Sequence, residues 1–312
     1  MAPLIMTLMQ GPLCGTLATM LLYGIFCMQT FYYARNYTED RKAIKWLVAC
    51  LWVLESAHTA LTVHFIEYYL ILNFNNESAL DYVVWSMGAA YFIGFLVAWA
   101  VDICFVWRIW QLSKQMWICI ALATLATVRT GFGLGNCTFS FRYPAIKEFH
   151  AKVFPTMVVG WTLSAFADTL IAVALCYYLH KNRSGMRRME HIINRLLLYS
   201  INTGALTSLF AILVIIMFLA FPATLVFVAF VQVQSKLYAI SLLASLNSRK
   251  STLEGARRAV ATADDISLRF LANSGTKVGR QTSLQSTMPR IEITKNIEMD
   301  IRGDEESSHG TV

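Results

Sequence analysis

Charge is scarce in this sequence: 14% of its 312 residues are Asp, Glu, Lys or Arg, against roughly a quarter in an ordinary soluble domain. With 56% of the residues hydrophobic, the apolar side chains exceed what one buried core holds, which excludes a water-soluble globular fold. Cysteine pairs are lacking too. None of the seven cysteines forms a C-x-x-C pair, so a zinc ribbon and a dithiol redox motif are excluded. Catalytic signatures are missing: there is no G-x-S-x-G, no H-E-x-x-H and no phosphate-binding glycine loop. His58 and His64 point to different helix faces, and His150, His180 and His191 fall in linkers, so no set of zinc ligands forms. Neither an enzyme nor a cofactor or metal is expected. "MAPLIMTLMQ" has no basic residue and therefore no signal-peptide n-region, so the first helix is expected to be an uncleaved anchor. No internal repeat stands out, which weighs against an inverted-repeat carrier.

What the sequence has instead is long apolar blocks. Seven of them lie near Gly11–Tyr33, Trp46–Leu70, Val83–Trp107, Met116–Gly135, Val153–Leu179, Leu196–Phe221 and Ala223–Leu246. Each holds about 20 residues or more, enough to cross a bilayer as a helix; a transmembrane barrel would show alternating segments of about ten. The predicted fold is an all-α, polytopic seven-helix bundle over residues 1–246, followed by a flexible tail over 247–312. The turn around "FPAT" separates the last two helices.

Orientation follows from the linkers. Arg35, Arg41, Lys42 and Lys45 crowd the first, Arg108 and Lys114 the third, and Lys181, Arg183, Arg187, Arg188 and Arg195 the fifth, whereas the second and sixth hold no Lys or Arg and the fourth Arg142, Lys147 and Lys152. The positive-inside rule then puts the N-terminus outside and the C-terminus in the cytoplasm. The same rule reads the net charge of +7 as loop lysine and arginine, not as a nucleic-acid surface. Sequons at Asn76 and Asn136 fall on the predicted outer side and are candidate glycosylation sites; those at Asn36 and Asn182 fall inside. Trp46, Trp107, Trp110, Trp117, Tyr32, Tyr33, Tyr177 and Tyr178 gather at predicted inner edges as an aromatic belt. The tail is rich in Ser, Thr and mixed charge. Within it, Val260, Ile266, Leu268 and Phe270 fit a helical stripe loosely, and "RQTSL" has basic-directed kinase spacing around Thr282 and Ser283.

Ionisable residues inside the blocks are the unusual feature. Lys236 lies 13 residues before Arg249, Asp168 13 before Lys181, and His58 13 after Lys45, so all three sit about 20 Å from the basic margin. Glu55 is one turn lower. An isolated charge at that depth costs at least about 2.5–3.5 kcal/mol and is normally paired inside the bundle. Asp168 is the first-choice partner for Lys236 and Glu55 the second. Such a pair either locks the helices together or handles a ligand or ion. Gln232 is one turn before Lys236, Ser164 one turn before Asp168, and Glu55, His58, Thr59 and Thr62 form one helical stripe. Nearer the inner side, Asp102, Arg108, Arg195 and Asn202 could form a second network. Arg129 is read as snorkelling outward. Small residues at four-residue spacing, Gly11/Gly15/Thr19, Gly94/Ala98 and Ser200/Gly204/Ser208, mark close helix contacts within the bundle.

The stretch from Trp161 to Lys250, with "FADTLIAVALCYYLH", the linker Ser184-Gly185-Met186-Arg187-Arg188, "YSINTGALTS" with Asn202, and "SKLYAISLLASLNSRK" with Lys236 and Asn247, resembles the C-terminal domain of a family of seven-helix membrane proteins expanded in mushroom-forming fungi. "GPLCGTLATMLLYGI" and "LESAHTALTVH" extend the likeness into the N-terminal half. The resemblance implies a seven-helix fold and no particular activity. Other seven-helix classes fit less well. No D-R-Y-like triplet ends the third helix, no N-P-x-x-Y ends the seventh, and no cysteine at the outer end of the third helix is placed to bridge to Cys137. A seventh-helix lysine is where microbial rhodopsins hold retinal, but their third-helix acceptor motif is missing and Gln232 stands where a carboxylate is expected; retinal is not expected.

The leading expectation is a receptor-like sensor in the plasma membrane. A small-molecule ligand would act on Glu55, His58, Asp168, Gln232 and Lys236, and a cytoplasmic signalling partner would meet the 180–195 linker and the tail. An ion- or proton-coupled transporter using the same residues, and a membrane-organising protein with no ligand, are the alternatives.

Overall fold

The computed structural model describes residues 4–74, 76–142, 146–181, 187–221 and 224–249, with backbone alone at 4, 6 and 77 and over 146–152 and 187–203. The tail, including Thr282 and Ser283, lies outside the described residues, as do Asn182 and the side chains of Arg195 and Asn202. The described part is all α-helical: α1 (Leu4–Asn36), α2 (Lys42–Glu67), α3 (Trp85–Ser113), α4 (Met116–Arg142), α5 (Ile146–Lys181), α6 (Arg187–Ala220) and α7 (Val226–Arg249). Six of these are long and apolar enough to cross a membrane, and α6 adds a described apolar run over Gly204–Ala220. Large apolar side chains such as Leu21 and Met28 on α1, Val53 on α2 and Trp117 on α4 point away from the bundle. Only a bilayer accommodates such a surface. The chain is a multi-pass integral membrane protein.

Helices outrun the apolar blocks. α6 begins at Arg187, so most of the stretch expected as a basic linker is its first turns. α4 continues to Arg142 and takes Asn136 and Cys137 into a helix, where the sequence reading ends the block at Gly135. α2 runs on through a π-helical turn at Tyr68–Leu72 before a 3₁₀ turn at Glu77–Asp81. The Tyr69 hydroxyl secures this loop, donating to Tyr82 O at 2.5 Å and accepting from Val84 N at 3.0 Å.

Consecutive helices from α1 to α6 pack on one another, as short connections dictate. α7 fills the middle: 61% of its apolar window is buried, against 28–44% for the other spans. It reaches α1 through Gly11 and Gly15, where an added Cβ would fall 2.8 Å from Val226 Cα and 2.5 Å from Ala229 Cα. It bonds α2 through Glu55, α3 through Arg108, α4 through Arg129, α5 through Asp168 and α6 through Thr207 O. The small-residue spacing at Gly11 and Gly15 is therefore the seat of the central helix.

Two apolar clusters make up the core. One, at the end that carries Arg249, includes Phe26, Leu51, Val101, Ile109, Leu242 and Leu243. The other, towards the α2–α3 loop with Asn76, includes Met9, Phe65, Met157, Val214, Phe218 and Phe227. Along their helices the buried Glu55, Arg129, Asp168 and Lys236 lie between the two.

Candidate functional site

α7 positions the site. Its residues Gln232, Gln234, Ser235, Lys236 and Tyr238 are all buried, because a central helix has no lipid face on which to place them. Two charge clusters end on it, two residues apart.

The first joins α7 to α2. Lys236 and Glu55 are both 0% exposed and form an ion pair. Lys236 Nζ also donates to Glu55 O at 3.0 Å and to Thr59 Oγ1 at 2.8 Å, and lies 5.3 Å from the centre of the Tyr23 ring. Ser235 Oγ donates to Glu55 Oε1 at 3.0 Å. Every ammonium proton thus has an acceptor, which a buried lysine requires. One turn earlier, Thr16 Oγ1 donates to Gln232 Oε1 at 3.3 Å, so α1 joins the same layer. The stripe of Glu55, His58, Thr59 and Thr62 is buried along its length.

The second cluster centres on Arg129 of α4. Its Nη1 donates to Ser164 Oγ at 2.7 Å, Tyr238 Oη at 2.9 Å and Asp168 Oδ1 at 3.2 Å. Its Nη2 lies 2.6 Å from Asp102 Oδ2, an ion-pair contact that lacks hydrogen-bond angles. Tyr238 donates to Asp168 Oδ2, and Arg129 Cζ stands 5.3 Å from the centre of the Tyr238 ring. One guanidinium therefore faces two carboxylates, whereas the first cluster balances one against one.

This geometry corrects three expectations. Lys236 is paired with Glu55, not with Asp168, because α2 lies against α7 while Asp168 is held by the guanidinium of α4. Arg129 does not snorkel: it is 6% exposed, and two acids from α3 and α5 compensate it. Asp102 does not reach Arg108. It turns to Arg129, while Arg108 Nη1 donates to Ser245 Oγ at 2.5 Å. The sequence reading missed Arg129, Tyr238 and Ser235 as members of the layer. For Arg129 a signal was present: it lies 15 residues beyond Lys114, about 22 Å along a helix, the depth assigned to the other buried charges. Nothing in the sequence marked Tyr238. Of the candidate glycosylation sites, Asn76 is exposed between α2 and α3. Asn136 is buried in α4 and accepts from Thr156 Oγ1 at 2.6 Å, which is incompatible with a carbohydrate acceptor on a surface loop.

A cavity of about 30 Å³ touches both clusters, with His58, Arg129, Ser164, Gln234, Ser235 and Tyr238 in its wall. A second of about 20 Å³ lies towards the Asn76 end and is lined by Met87, Asn136, Ser140 and Met157. The two share Tyr91, Phe95, Trp161 and Val231, and the Phe95 and Trp161 rings stand 6.0 Å apart. His58 Nδ1, Tyr91 Oη and Gln234 Oε1 are buried without hydrogen-bond partners, and all three residues line the cavity between the clusters. Buried polar atoms of this kind call for water or a ligand group, and one water needs about 10–15 Å³. Among the described residues no group of three or more His, Cys, Asp or Glu side chains gathers as for a metal ion.

No curated protein and no solved structure matches the chain. Residues 164–251, which run from Ser164 of the Arg129 cluster through α6 and α7, match a family of unknown function, DUF6534.

Proposed function

We propose that the chain is a receptor-like seven-helix sensor of a small molecule and not an enzyme, set in the plasma membrane with its N-terminus outside. The observation that carries this reading is the convergence of both buried charge clusters on α7, at Lys236 and Tyr238, beside one cavity. A group entering from the Asn76 end past Phe95 and Trp161 would meet His58 and Gln234 and compete for the donors and acceptors that hold α7. A ligand shifts such an equilibrium only by its difference in affinity for the two arrangements, so a sensor of this kind requires a second arrangement of α7 that the ligand prefers. The cavities are too small for a metabolite without rearrangement, so binding and movement of α7 are coupled. Residues 180–195 and the tail would present the change to a cytoplasmic partner. Spin labels on α7 and α3 at the Arg249 end test this. A fungal-metabolite panel, chosen because of the family resemblance, should contain a compound that changes their separation in the wild type and not in His58→Ala. No change with any compound that binds would count against the sensor.

The unpartnered polar atoms of His58, Tyr91 and Gln234 favour a second reading, a proton- or ion-coupled transporter with a hydrated centre. Flux into proteoliposomes that disappears in Asp168→Asn would establish it.

A further inference from the structure

A cavity far larger than those beside the charge clusters lies at one end of the bundle. It measures about 450 Å³ and opens at the Arg249 end, where α3, α5 and α7 meet the loop between α1 and α2. That volume is of ligand size. Its wall carries three guanidiniums from three different segments: Arg41 from the loop, Arg108 from α3 and Arg249 from α7. Two acids accompany them, Glu39 and Asp40. Asp40 is already engaged by Arg249, whose Nη2 lies 2.5 Å from Asp40 Oδ2.

Arg108 is the informative residue. It is half-buried and turned inward to Ser245 of α7, so it is not extended along the lipid face. Among the described residues its one hydrogen bond is to a neutral hydroxyl, its Cζ lies 5.9 Å from the centre of the Phe105 ring, and no carboxylate pairs with it. A guanidinium has five donors in a rigid fork, and an intramembrane arginine normally has an acid or several carbonyls as partners. Both buried charges deeper in the bundle obey that rule; Arg108 does not. What it lacks is an anion, and the cavity leaves room for one.

We propose that this cavity binds a phosphate monoester, held by Arg108 with Arg41 and with Arg249 at its edge. A carboxylate offers two oxygens, a demand Asp40 already meets for Arg249. A phosphate monoester carries about −1.5 to −2 charges and three acceptor oxygens, which suits guanidiniums arriving from separate directions. The group can come from a lipid headgroup or from a soluble phosphate ester, and either would tie α3, α7 and the α1–α2 loop together. The inference does not rest on the sensor reading, since it draws on none of the residues of the central cavity.

The test uses the full chain in two settings. In detergent, inositol trisphosphate is titrated by calorimetry. In nanodiscs, phosphatidylinositol 4-phosphate at a few mole per cent is compared with phosphatidylcholine alone by native mass spectrometry. Saturable binding in detergent assigns a soluble ester, and retention only of the phosphorylated lipid assigns a headgroup; either supports the site. Arg108→Gln should weaken binding about tenfold or more, and Arg41→Gln, an exposed loop change that leaves the bundle intact, should weaken it less. Arg35→Gln, at an exposed residue against the Phe31 ring outside the cavity, should leave it unchanged. Thermal unfolding of each variant establishes that it is folded. No binding of either probe to the wild type, or wild-type affinity in folded Arg108→Gln and Arg41→Gln, overturns the proposal.

Discussion

Lys236 of α7 and Glu55 of α2 are each fully buried and neutralise one another, which leaves Asp168 to the guanidinium of Arg129. The ammonium deep in the seventh helix is thus held from the first third of the chain, and α7 is fastened by an ion pair to α2 and by the Tyr238 hydroxyl to the Arg129 cluster. Burying such pairs need not add stability over apolar residues of the same shape. Removing one partner leaves an uncompensated charge, and the predictions below turn on that asymmetry.

In the Arg129 cluster the two carboxylates are not equivalent. Asp168 accepts from Arg129 and from Tyr238 with hydrogen-bond geometry, whereas Asp102 has only the ion-pair contact. Arg129→Met leaves two acids facing each other in a buried layer and should cost about 3–5 kcal/mol. Asp102→Asn leaves one acid against one guanidinium and should cost less than about 1 kcal/mol. Reversible unfolding in detergent, followed by circular dichroism, ranks the two variants.

Gly15 and Gly24 lie on the same helix in opposite surroundings. A Cβ at Gly15 would fall 2.5 Å from Ala229 Cα and 2.7 Å from Gln232 Oε1, while nothing lies within 4 Å of one at Gly24. Gly15→Ala should therefore destabilise by about 1–3 kcal/mol through overpacking against α7. Gly24→Ala should be neutral or gain up to about 1 kcal/mol of helix propensity. Midpoint temperatures of the two purified variants decide it.

Asp40 sits outside the spanning segments. Burial pushes its carboxyl up, but the hydrogen bonds from Arg249 and Tyr33 outweigh burial and hold it below its ordinary value of 3.8. A carboxyl depressed on folding stabilises the protein above its unfolded value and loses that contribution as pH falls through the folded one. Wild type and Asp40→Asn should differ in midpoint temperature at neutral pH, and the gap should close below about pH 3.8. A gap that persists undiminished well below pH 3.8 would remove the Arg249–Asp40 pair from the account.

Asn76 tests orientation. It is exposed between α2 and α3, while Asn136 is buried. With the N-terminus outside, glycosidase treatment of protein from a secretory host should shift the gel mobility of the wild type and of Asn136→Gln, but not of Asn76→Gln.

The seven helices were legible because long apolar runs have one structural use in so polar-poor a chain. Their ends were not. Arg187 and Asn136 continue helices because backbone hydrogen bonding does not stop where hydropathy falls. The polar layer was legible at Lys236, Glu55, His58 and Asp168, since counting from the basic margin gives depth. Partnership was not, since depth says nothing about which helices are neighbours. The packing of α2 and α4 around α7 decides whether Glu55 or Asp168 meets the lysine. The same blindness assigned Arg129 to the lipid edge, although its distance from Lys114 matches the others.

The central claim is the pairing of Lys236 with Glu55, and a double-mutant cycle measures it directly. Lys236→Met alone should cost about 3–5 kcal/mol, and adding Glu55→Leu should recover most of it, because an apolar pair replaces a buried ionic one. Lys236→Met with Asp168→Leu should be at least as unstable as the single variant, since it also strips an acid from Arg129. If the Asp168 combination rescues stability and the Glu55 combination does not, the lysine belongs to the other carboxylate and this account of the bundle is wrong.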